Sequence, residues 1–154
     1  RVRIPPRPRD DFSANPMQVD PDKHNAYLDA VGRTAPLSEA MAAMGVAARA
    51  AAQSDDAAVM DAARDAFSAV RGLAATFRDD VAGADAPMYL RGADGQFQEA
   101  LALIVDAAAR GERAAEGHDV DRLRAAAAEV EVANRDILTA AMRIANWRSG
   151  AASP

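Results

Sequence analysis

The stretch MDAARDAFSAVRGLAATFRDDV, residues 60–81, decides the fold. Met60, Ala63, Phe67, Val70, Ala74, Phe77 and Val81 recur at alternating steps of three and four residues. That alternation lays one apolar stripe along a helix and favours the shallow helix crossings of a bundle over steep globin-type crossings. A helix is predicted from about Asp55 to Val81. Upstream, Leu37, Met41, Met44, Ala48 and Ala51 form a second stripe. Its helix is expected to start between Thr34 and Leu37, with Thr34 as a cap and Pro36 early in the first turn. Ser54, backed by Asp55 and Asp56, reads as a tight turn that caps the next helix and meets its positive end with acids.

Downstream, Gly83, Asp85, Pro87, Gly92 and Gly95 interrupt the pattern, and a crossing of about a dozen residues is expected, with Met88, Tyr89 and Leu90 lying over the bundle end. Phe97, Leu101, Ile104, Ala108 and, past Gly111, Ala115 mark a third helix opening near Asp94. Gly117-His118-Asp119 reads as the second tight turn, with Asp119 as a cap. Val120, Leu123, Ala127, Val130, Asn134, Ile137, Ala141 and Ile144 mark a fourth helix ending near Trp147 and Gly150. Asn134 interrupts this seam as a register-fixing amide, a seam-edge residue or a ligand contact. Two tight turns force antiparallel neighbours. The expectation is an all-α protein: an antiparallel four-helix bundle over residues 37–148 around Phe67, Phe77, Phe97, Leu101 and Ile137, with a C-terminal tail at 149–154.

Residues 1–36 read differently. Pro5, Pro6, Pro8, Pro16 and Pro21 remove backbone donors and disfavour helix before them, so a long proline-rich, arginine-rich N-terminal arm is expected. A short helix is predicted within it over His24–Val31, stopped by Gly32. The arm is read either as a leader with no fixed structure or as a segment laid on another protein through Ile4, Pro5, Pro6 and Phe12, with Tyr27 as a further anchor. Residues 1–30 are expected to be dispensable for folding the bundle. Trp147, the single tryptophan, is assigned either to closing the bundle end or to partner contact.

Composition narrows the function. Half of the 154 residues are hydrophobic but only 5% are aromatic, which suits helices better than strands. The absence of cysteine excludes disulfides, thiolate metal sites, thiol catalysis and covalent c-type haem. The net charge is −5, and Arg1, Arg3, Arg7 and Arg9 carry +4 in the first nine residues, which leaves −9 on the remainder. An acidic domain behind a basic arm lacks the broad cationic face that nucleic-acid binding requires. No apolar run reaches a membrane span. The chain begins at Arg1 without methionine, and export to the periplasm or another extracytoplasmic space is expected, with a cytoplasmic location as the alternative.

Catalytic patterns are missing from the sequence. There is no Glu-x-x-His pair for a di-iron bundle, no Gly-x-Ser-x-Gly, no phosphate-binding loop and no dinucleotide fingerprint. His24 and His118 read as surface residues, Asp55 with Asp56 as a cap cluster and Asp79 with Asp80 as a helix-end pair. Asp106–Arg110 and Glu131–Arg135 have the spacing of solvent-face ion pairs. No catalytic, metal or cofactor residue is assigned.

Leu37-Ser-Glu-Ala-Met41 at the start of the first long helix and Glu116-Gly-His-Asp-Val120 before the alanine run of the last carry a family resemblance. With the helix order and turns, the span from Leu37 to Arg148 resembles the four-helix cytochromes, the c-prime type and its soluble b-type relative. The resemblance implies the bundle fold and a methionine iron ligand at Met41. It departs at the second ligand, where the family's histidine falls near Leu138 or Thr139, and it thereby argues against haem chemistry; Met142 leaves a two-methionine site as a remote variant.

The function expected from the sequence is a non-catalytic accessory subunit, exported and attached through its arm to a protein partner in a larger membrane-associated assembly. The alternative is a small haem-binding electron-transfer protein of the four-helix cytochrome type. A helical sensor or ligand-binding domain is the third reading.

Overall fold

The computed structural model describes residues 19–54 and 56–147. Among these the chain is all-helical: α1 Pro21–Val31, α2 Ala35–Gln53, α3 Ala57–Gly83, a short 3-10 turn at Met88–Leu90, α4 Arg91–Glu116 and α5 Val120–Ala145. The four long helices close a ring: α2 packs on α3, α3 on α4, α4 on α5, and α5 returns to α2 in a thinner contact. The short connections after α2 and α4 turn the chain back on itself.

The α3 stripe is buried along its whole length, from Met60 to Val81. Phe67, Phe77, Phe97, Leu101 and Ile137 all lie in the core. Phe77 and Phe97 meet edge to face, with ring centres 5.6 Å apart, an arrangement the aromatic quadrupole favours. On α4 two adjacent lines are buried, Phe97, Leu101, Ile104, Ala108 and Ala115 on one and Ala93, Ala100, Ala107 and Ala114 on the other. This helix is therefore wedged between α3 and α5. Arg71 of α3 donates to Glu112 of α4 at 2.8 Å, and Arg110 of α4 pairs with Glu129 of α5 at 2.5 Å.

Several expectations are corrected. The short helix predicted over His24–Val31 is present as α1 and ends at Gly32, but it starts earlier, at Pro21, because Asp20 accepts hydrogen bonds from the amides of Asp22 and Lys23 and Pro21 occupies the first helical position, where its missing N–H costs nothing. Tyr27, Ala30 and Val31 are buried, so residues 1–30 are not all external to the core. Thr34 makes no capping bond to α2. Helix α3 starts at Ala57 rather than Asp55, with Asp56 at the boundary and the Ser54 hydroxyl accepting from the Asp56 amide.

The crossing after α3 is shorter than expected, because Gly92 and Gly95 lie inside α4, where each costs only about 1 kcal/mol against alanine. The second tight turn forms as expected, with His118 at positive φ and Asp119 capping α5 by accepting from the Arg122 amide. Arg110 pairs across to α5 instead of with Asp106, and Glu131–Arg135 is not among the ion pairs of the described residues.

On α5 the buried line is Leu123, Ala126, Val130, Ala133, Ile137, Ala140 and Ile144. Ala127, Asn134 and Ala141, assigned to this seam by spacing, sit beside it at partial exposure. Both lines obey the same three-four alternation. The one that faces the close neighbour α4 is buried, and the one that faces α2 is left at the edge of an open groove.

Candidate functional site

Two features stand out from a regular helical fold: an aromatic cluster at one end and a groove along one side. The cluster joins three separated parts of the chain. Trp147, just past α5, stacks on Tyr89 of the 3-10 turn at 4.1 Å between ring centres. His24 of α1 lies 5.5 Å from Trp147 and 5.8 Å from Tyr89, and its Nδ1 shares a 2.8 Å hydrogen bond with the Tyr89 hydroxyl. One turn further along α1, the Tyr27 hydroxyl donates to the Asp94 carboxylate at 2.6 Å. Lys23 reaches Asp85, which has positive φ, at 3.3 Å across the same end.

These contacts clamp α1 onto the end of the bundle. Sequence reasoning read His24 as a surface residue, and the structure corrects this: it is partly buried against the stacked Tyr89–Trp147 pair. The signal available was that a histidine and a tyrosine three residues apart lie on one helix face. His118 is exposed in its turn, as expected. Of the residues assigned to partner binding, Trp147 is partly buried and packed into the cluster. Ile4, Pro5, Pro6 and Phe12 lie outside the described residues.

Burial pushes the Tyr27 phenol well above the ordinary tyrosine range, and the hydrogen bond to Asp94 and its negative charge push it further. Tyr89 is raised in the same direction by burial and then by the charge of Asp20. A phenol whose folded pKa is raised stabilises fully below its unfolded value, about 10, and that stabilisation is lost as pH climbs above it. Stability is therefore expected to fall steeply above about pH 10, and less steeply in Tyr27→Phe. Denaturant unfolding of both proteins across that range checks this. Equal alkaline slopes would show that Tyr27 does not control the transition.

The groove runs between α2 and α5 and encloses about 790 Å³. Met41, Met44, Ala48, Ala127 and Val130 form its apolar floor, with Arg49 and Arg124 near one end and Asn134 and Ser38 toward the other. Such a volume lies within the range of small-ligand sites. Asn134 therefore edges an open groove instead of fixing register in a closed seam.

The haem ligation implied by the cytochrome resemblance would place its iron ligands along this groove. Met41 lines it. Leu138 is 54% exposed and offers no ligating atom, while the Thr139 hydroxyl is turned back to donate to the Arg135 carbonyl at 3.0 Å. Met142 is 63% exposed and does not line the groove. These side chains do not fit an axially ligated haem.

Among the described residues no group of three or more His, Asp or Glu side chains is placed to hold a metal ion, and no helix is long and apolar enough to cross a membrane. Comparison with protein-family models, with curated proteins and with solved structures gives no match.

Proposed function

We propose that this chain is a non-catalytic accessory subunit, an antiparallel four-helix bundle whose N-terminal residues attach it to a protein partner in a larger membrane-associated assembly. The observation that supports this reading is the clamp on α1. Tyr27 is fully buried and His24 is held by Tyr89 and Trp147, so α1, the helix that follows the N-terminal segment in the chain, is fixed on the bundle end. A segment rich in proline and arginine and anchored at such a point has little freedom to lose when it meets a partner. In this reading Ile4 and Phe12 supply apolar anchors and Pro5 and Pro6 supply stiffness, and Trp147, partly exposed, packs against His24 at the same bundle end as α1. Export to an extracytoplasmic space belongs to the same reading.

Removing residues 1–18 is expected to leave the melting temperature within about 2 °C of the full chain, since only losses approaching 1 kcal/mol move it further at this size. The same truncation is expected to abolish recovery of the protein with native membranes in a pull-down. Equal retention of the two forms would refute attachment through this segment, and recovery of the native protein in the cytoplasmic fraction would refute export.

A further inference from the structure

Helix α2 presents an exposed, largely apolar face. The four long helices differ sharply in charge. Helix α2 carries two charged residues, Glu39 and Arg49, in 19 positions, whereas α3 carries seven in 27 and α4 and α5 carry eight each in 26. A helix that is apolar all round is normally buried all round. Helix α2 buries only Leu37, Met44, Ala48 and Ala51, and leaves Ala35, Pro36, Ala42, Ala43, Val46 and Ala50 exposed. Val46 is the extreme case, at 61% exposure.

The exposed residues are ordered. Ala35, Glu39, Ala42, Val46, Arg49 and Gln53 follow one another at steps of four, three, four, three and four, and every one of them is exposed. This stripe is symmetric about position 44. Laid antiparallel on a second α2, it sets Ala42 against Val46 of the other copy and Glu39 against its Arg49, twice over by the twofold axis. The small side chains at 42 and 46 let the two backbones approach, and the opposite charges sit at the two edges, where they fix direction and register. A parallel pairing instead sets Glu39 on Glu39 and Arg49 on Arg49. Within the chain, neither Glu39 nor Arg49 has an ion-pair partner among the described residues, and the Arg49 guanidinium lies back alongside Gly45.

We infer that the chain pairs with a second copy of itself through this α2 face, antiparallel and centred on residue 44. Ala42, Val46, Arg49 and Gln53 of the stripe also line the groove between α2 and α5, which gives room for the partner's ridge of side chains, as ridges-into-grooves packing requires. The pairing goes beyond the accessory-subunit reading and does not depend on it, because no residue before Ala35 takes part.

Sedimentation equilibrium of the purified full-length chain tests it, with melting curves recorded alongside to show that each variant is folded. A dimer is expected. Glu39→Arg and Arg49→Glu, each of which turns two attractive pairs into two repulsive ones, are expected to weaken it by about tenfold or more. The double variant E39R/R49E, which restores both pairs with their signs exchanged, is expected to recover wild-type affinity. Val46→Glu, at an exposed position, is expected to leave the fold intact and abolish pairing. A monomeric full-length chain overturns the proposal, including the case in which only a chain lacking residues 1–18 pairs, which would assign the face to that segment. A dimer indifferent to V46E, or a double variant no better than the single ones, overturns the α2 register.

Discussion

Gly111→Ala is expected to destabilise the protein, although alanine is the better helix former by about 1 kcal/mol. A β-carbon built on Gly111 stands 2.3 Å from Cδ1 and Cε1 of Phe67 and 2.6 Å from Cζ. Phe67 is fully buried, so its ring has no open side to move toward. It occupies the volume that any side chain on Gly111 needs. Overpacking of this kind costs roughly 1–3 kcal/mol beyond the helix gain, which at this chain length lowers the melting temperature by about 2–9 °C. Phe67→Ala empties the same space and is expected to cost more, about 3–5 kcal/mol. The two changes share one volume, so they are not additive: the double variant should lie well above the sum of the single losses. Differential scanning calorimetry of the three variants decides the matter. A G111A protein that melts at or above wild type would show that α3 and α4 separate freely at this level.

The Gly111–Phe67 contact also shows where the sequence was legible. Phe67 was readable as core from the three-four spacing on α3, because a single helix with one buried stripe leaves no choice of face. Gly111 was not, because spacing marks large apolar residues and is silent on a position used for having no side chain. The same limit explains α5. Its two candidate lines, through Ala126, Ala133 and Ala140 or through Ala127, Asn134 and Ala141, are both heptad-like, and only the tertiary packing against α4 selects the first. Composition alone held the α2 signal, a helix with two charges, yet its stripe of buried residues drew attention to the inner face. The end cluster was legible least. His24, Tyr89 and Trp147 are brought together from distant parts of the chain, and no local pattern announces their meeting.

Helix α1 supplies the second large effect. A chain beginning at Thr34 loses Tyr27, Ala30 and Val31 from the core, the Tyr27–Asp94 bond and the His24 layer over Tyr89 and Trp147. The end that α1 covered is left with bare apolar surface, and the Asp94 carboxylate loses its hydrogen-bond donor. The truncated protein is expected to melt about 5–10 °C below the full chain, a net loss of roughly 2–3 kcal/mol.

Tyr27→Ala keeps α1 in the chain but removes its main contact. Its expected outcome is undocking of α1 with the four long helices retained: amide protection lost over residues 21–31 and kept over α3 and α4, with Trp147 emission shifted to the red as His24 withdraws. A chain beginning at Thr34 that melts with the full-length protein would show that the end cluster contributes no net stability. Loss of amide protection throughout Tyr27→Ala would show instead that α1 is required for the four-helix fold to form at all.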